Sequence, residues 1–215
     1  MIMEVKKIAV KVWQPIIKKL NEKIEHGCLR RDAYINKILD IELGMLDQEI
    51  TQANSEEARE YIAASLDSLN RKIVTFSLRG DVVDRLDEIC AQKRMVRDAI
   101  INRILLMLTA KPAVIDRLLI EALDADWRNL VWDKNVCDWN FFPDIFYPLE
   151  PDVDPFRVLR EGIRLTNKTH DANFSFYGVV LTDRHLKDKN LFGLNCHIPN
   201  EEVPKHPDHL SDDDL

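Results

Sequence analysis

Four cysteines and six histidines are the side chains here best suited to metal ligation or nucleophilic attack. Cys28, Cys90, Cys137 and Cys196 are widely scattered with no CxxC pair, which argues against a disulfide framework and against a zinc finger. They read as reduced thiols, mostly buried. Cys196, His197, His206 and His209 fall near one another, but their spacing fits no standard zinc pattern. There is no nucleophile elbow, no phosphate loop and no carboxylate pair that spacing singles out. The expectation is a chain with no catalytic residue, no metal and no cofactor, and thus not an enzyme. What remains is recognition chemistry. A guanidinium presents a fork of donors, an ammonium a point charge, and a hydroxyl both donates and accepts.

The elements that would position such groups come from an internal repeat. At an offset of 66, residues 31–39 (RDAYINKIL) lie over residues 97–105 (RDAIINRIL), differing only at Tyr34/Ile100 and Lys37/Arg103. The same offset pairs Leu20 with Leu86 and Glu22 with Glu88, and sets Val10 and Val12 over Phe76 and Leu78.

Each repeat reads as strand, helix, helix. Ile8, Val10 and Val12 alternate with Ala9, Lys11 and Trp13, the period-two pattern of a half-buried strand. Pro15 suits a first helical turn, and Ile16, Ile17, Leu20 and Ile24 recur at helical spacing until Gly27 ends the run. A second helix over about 30–46 buries Ile35, Ile38, Leu39 and either Leu43 or Leu46. In the second repeat Thr75, Ser77 and Arg79 face away from Val74, Phe76 and Leu78. Two helices follow, with Val82, Val83, Leu86, Ile89 and Cys90 buried in one and Ile101, Ile104, Leu105 and Leu108 in the other. A lone strand ahead of two helices lacks backbone partners and a cover for its apolar face. Two copies supply each other if the strands near 7–13 and 73–79 pair antiparallel. The acidic segment 47–70, helical over 55–62, is then a connector.

The net charge of −7 hides a pattern. Residues 1–37 carry nine Lys/Arg against four Asp/Glu and residues 71–105 eight against five, whereas 38–70 carry one against eight and 106–215 twelve against twenty. Phosphate attraction depends on the local field within about 8–10 Å rather than on the total, so the acidic balance does not exclude DNA.

Residues 75–79 (TFSLR), followed by an amphipathic helix, a turn and a helix opened by Arg-Asp-Ala, resemble the ribbon-helix-helix family of the Arc and MetJ repressors and the CopG-type regulators. A tandem arrangement in one chain is also similar to the relaxosome accessory protein of conjugative plasmids. The resemblance covers roughly residues 5–110 and implies an α+β, mostly α fold, in which two tandem ribbon-helix-helix repeats form an intramolecular pseudo-dimer. It implies double-stranded DNA as partner, with the outward strand side chains entering the major groove. Carried onto this sequence, the base-contacting positions are Ala9, Lys11 and Trp13 with Thr75, Ser77 and Arg79. The phosphate-contacting positions are Arg30, Arg31 and Arg97, at the start of each second helix, where free N–H groups favour anions. Ala9 and Trp13 depart from the family's polar pattern, so the first strand is expected on thymine methyls or backbone sugars, with Trp13 equally able to fold back onto the core; because the two strands differ, an asymmetric half-site is expected.

The expected organisation is a DNA-binding domain over 1–110 (repeats 5–46 and 71–110, connector 47–70), a small α+β region over 111–200, and an acidic tail over 201–215. A helix from Pro112 to about Trp132 caps the repeats. The cluster Trp127, Trp132, Trp139, Phe141, Phe142, Phe146 and Tyr147 is either an irregular core or a surface for another protein. A short helix near 156–165 and strands near 174–182 and 191–198 complete the region. Composition and a hydrophobic content of 46% suit a soluble folded protein. No run approaches the ~20 apolar residues of a membrane helix, so the expectation is cytoplasmic and without a membrane partner. Three readings share the DNA step: a transcriptional repressor, an antitoxin whose residues 127–215 hold a toxin, and a plasmid relaxosome or partition factor. Self-association on DNA is expected, because one ribbon covers few base pairs.

Overall fold

The computed structural model describes residues 4–50, 53–68 and 71–109, with 154, 156, 157, 160 and 164 beyond them. Over this region the protein is α+β and mostly helical. Its elements are β1 (Val5–Trp13), α1 (Gln14–His26), α2 (Arg31–Glu49), α3 (Glu56–Ser68), β2 (Arg71–Arg79), α4 (Gly80–Gln92) and α5 (Arg97–Thr109). The helix expected over 112–132, the aromatic cluster, the two later strands and the tail lie outside the described residues.

β1 and β2 form a two-stranded antiparallel ribbon with Val5 opposite Arg79, Ala9 opposite Thr75 and Trp13 opposite Arg71. Each strand begins two residues earlier than its alternation marked, because Val5 and Arg71 continue the outward-facing row. The inward row of Ile8, Val10, Val12, Val74, Phe76 and Leu78 is buried under the helices.

The helices are interleaved between the copies. α1 packs on α5, α2 on α4, α2 on β2 and α5 on β1, so each second helix covers the strand of the other copy. Neither copy holds its own core, which is the physical reason a single strand-helix-helix unit needs a second. α1 buries Ile16, Ile17, Leu20 and Ile24. α2 buries both Leu43 and Leu46 and runs on to Glu49. The connecting helix is longer than expected, because Ala58, Ile62 and Leu66, four residues apart, give it a continuous buried stripe.

Both helix-helix turns use the same device. Cys28 and Arg94 are 66 positions apart and take left-handed φ values of 53° and 51°. In each, a backbone N–H reaches five residues back, Leu29 to Ile24 and Met95 to Cys90, closing the preceding helix. Cys28 is exposed and Cys90 buried, so of these two thiols expected to be mostly buried, one is not.

A segment from the C-terminal half docks on the repeats. Phe156 belongs to the core. The Arg160 guanidinium meets buried Glu42 through both oxygens, at 3.2 and 2.7 Å, and also bonds Glu49 and Asp154.

Candidate functional site

An antiparallel ribbon offers three surfaces to a partner: the face away from the helices and the two backbone edges. Each edge is already occupied along part of its length. On β2 the N–H of Ser77 donates to Asp32 Oδ2 at 2.9 Å, the N–H of Arg79 donates to Asn36 Oδ1 at 2.8 Å, and the Thr75 carbonyl accepts from Arg31 Nη2 at 2.9 Å. On β1 the N–H of Lys11 donates to Asp98 Oδ2 at 2.9 Å, the N–H of Trp13 donates to Asn102 Oδ1 at 2.9 Å, and the Ala9 carbonyl accepts from Arg97 Nη2 at 3.2 Å. Every member of the second set lies 66 positions from its counterpart in the first. The repeated Arg-Asp-Ala-x-Ile-Asn segment is therefore a clasp: three side chains in the first two turns of a helix bond backbone groups along part of the outer edge of the opposite copy's strand. Edge groups paired in this way cannot template another strand.

Arg31 and Arg97, named from sequence as phosphate ligands, thus have a structural task. Arg31 also bonds Asp32 and lies 5.0 Å over the Phe76 ring, while Arg97 pairs with Asp87 and Asp98. Arg30 is exposed at the start of α2 and makes no ion pair among the described residues.

The open face carries Val5, Lys7, Ala9 and Lys11 on β1, and Ile73, Thr75, Ser77 and Arg79 on β2. Five of the six residues named from sequence stand on it. Trp13 does not. At 4% exposure it belongs to the core, because β1 ends there and the chain turns into α1 with Trp13 as its N-cap. Its counterpart Arg79 stays partly exposed, held by Asp40 at 2.9 Å and by Asp81. These carboxylates, Asp81 first, raise the guanidinium's already high pKa further.

Sequence reasoning missed Lys7 and Ile73. Ala9 and Thr75 pair with each other and are counterparts at the offset of 66, so the ribbon centres on them. The central triplets are then Lys7, Ala9 and Lys11 against Ile73, Thr75 and Ser77. Combining the offset with antiparallel pairing was the signal that could have found both.

Lys7 is exposed and has no ion-pair partner among the described residues. Lys11 binds Asp67 of α3 at 2.8 Å, and Arg71 reaches the same carboxylate at 2.6 Å. The hydrogen bond from Lys11 is the largest cause holding the Asp67 carboxyl below its usual range.

Behind the ribbon, α3, α4 and the start of α5 enclose a cleft of about 590 Å³ whose lining includes Glu60, Cys90, Arg94 and Arg97. Burial, reinforced by Asp87, pushes the Cys90 thiol up to about 12, so it stays protonated and a poor nucleophile near neutrality. Among the described residues, no three His, Cys, Asp or Glu side chains are grouped as metal ligands. The C-terminal cysteine and histidines lie outside them. No helix among the described residues is long and apolar enough to cross a membrane.

No family model, no curated protein and no solved structure matches the chain.

Proposed function

We propose that the protein is a sequence-specific DNA-binding repressor of the tandem ribbon-helix-helix kind, in which one chain supplies the whole pseudo-dimer. The observation that carries this reading is a ribbon whose edges are engaged by the clasps over residues 9–13 and 75–79 while its lysine-bearing face is left open. Strands ~4.8 Å apart make a unit that fits a major groove ~12 Å wide. Lys7, Thr75 and Ser77 then address base edges, with Lys11 and Arg79 joining once released from Asp67, Asp40 and Asp81. Arg30 and the free N–H groups at the start of α2 meet a flanking phosphate.

On this reading several chains side by side would extend the short site one ribbon covers. The test is selection from a pool of random duplexes at two salt concentrations. Enrichment of a short asymmetric motif, with affinity falling steeply as salt rises, is expected. Absence of both would leave the ribbon as a folding device and move the search to protein partners of residues 127–215.

A further inference from the structure

Val5 and Ile73, at 62% and 69% exposure, are the exposed large hydrophobic residues among those described, and both stand on the open face of the ribbon. A β-branched residue suits a strand anywhere, so the placement of Ile73 matters more than its type. It lies one pair from the centre, across from Lys11, and its counterpart at the 66-residue offset is Lys7, one pair from the centre on the other side. The local symmetry therefore brings a free cation and an aliphatic side chain to equivalent positions over the two halves of whatever meets the face. Beside Ile73 the central pair adds only a methyl from Ala9 and the hydroxyl and methyl of Thr75.

Resting on the DNA reading above, we propose that the two halves of the site are read by opposite chemistries. Ile73 packs on the C5-methyl of a thymine, and Lys7 donates to the O6 and N7 acceptors of a guanine in the other half. In the major groove the thymine methyl is the apolar mark of an A·T pair, and guanine presents paired acceptors. The clasps engage the edge groups of residues 9–13 and 75–79, which disfavours a second strand added there. A duplex is favoured over an apolar protein partner because Lys7, which has no ion-pair partner among the described residues, shares the same face with Ile73.

The experiment uses the full chain and the duplex it enriches, with each thymine replaced in turn by deoxyuridine, which removes the methyl and nothing else. At one position in one half-site the affinity should fall about four-fold, the factor expected for one buried methyl-sized group. Ile73→Ser should bind more weakly and lose that difference between thymine and uracil, and Lys7→Ala should relax the preference for guanine in the other half. Since both side chains are exposed, neither variant should alter folding. Equal affinity for all deoxyuridine duplexes, with sequence preference and salt dependence intact, would overturn the inference and leave the DNA reading standing. An unchanged uracil penalty in Ile73→Ser would overturn it too. Failure to bind any duplex would remove the DNA reading itself.

Discussion

Ala9 lies directly opposite Thr75 in the ribbon, and the two are counterparts at the 66-residue offset. Antiparallel pairing reverses direction while the offset preserves it, so one pair alone can satisfy both. That pair marks a local two-fold axis, and the hydrogen bonds of the Arg-Asp-Asn clasps fall in matched sets on either side of it. The backbone is thus symmetric where the side chains are not: Lys7 answers to Ile73, Lys11 to Ser77 and Trp13 to Arg79.

The clasp asparagines should matter for stability well beyond ordinary surface residues. Asn102 is fully buried. It accepts from the Trp13 N–H and donates at 2.7 Å to the carbonyls of both Lys11 and Asp98. Asn102→Ala leaves a buried strand N–H without a partner and should cost ~1–3 kcal/mol. Asn36→Ala should cost less, because Asn36 is only partly buried and water can replace it at Arg79. Urea unfolding of both variants checks this; equal and negligible losses would mean that the edges are satisfied without the clasps.

Arg160 contacts Glu42, Glu49 and Asp154 together, and Glu42 is fully buried. Arg160→Ala should destabilise the full chain, since it removes the cation that touches all three carboxylates, one of them fully buried. Adding Glu42→Gln should return part of the loss. Denaturation midpoints for the single and double variants decide it, and additive losses would show that the pair is not coupled.

How much of this was legible follows from where the information sits. Strand alternation and helical spacing are local, so Val10, Phe76, Leu20 and Leu86 could be assigned to a core from the chain alone. The meaning of Asn36 and Asn102 is not local. Each serves a strand more than forty residues away, and nothing in the repeat says that a polar residue identical in both copies faces the opposite strand rather than solvent. Trp13 was left open between groove and core for a related reason: alternation places it outward, but a strand's last residue follows the turn into the next helix, and the core is where it lies. Arg160 was invisible, because its partners on α2 lie more than a hundred residues earlier.

Lys23 supplies a pH test. Its ammonium donates to the Leu108 and Thr109 carbonyls at the end of α5, at 3.2 and 3.1 Å. Burial, aided by Lys19, nevertheless lowers its pKa from 10.5 to about 8. Between those values the unfolded chain binds the proton more readily than the folded one, so stability rises with pH there. The contribution is fully present above the ordinary lysine value and is lost as pH falls through about 8. Wild type should therefore gain stability relative to Lys23→Met between pH 7.5 and 10. Parallel curves for the two proteins would show that the carbonyls fully compensate for burial.

Asp67 should act as a brake on the ribbon. Its carboxylate binds Lys11 and Arg71, stands at the end of the acidic connector and would lie close to a phosphate backbone laid along the face. Binding DNA then means giving up those contacts and bringing like charges together. Exposed pairs of this kind are weak, so Asp67→Asn should tighten duplex binding only a few-fold at low salt, and less as salt screens the charges. Because Asp67 is half exposed, folding should be little affected. Lys11→Ala should weaken binding, relax base preference, and remove most of the benefit of Asp67→Asn. Salt titrations of the two single variants and the double, on the enriched and a random duplex, measure all three effects. If Asp67→Asn leaves affinity unchanged at every salt concentration, α3 stands clear of the bound duplex and Lys11 points away from it.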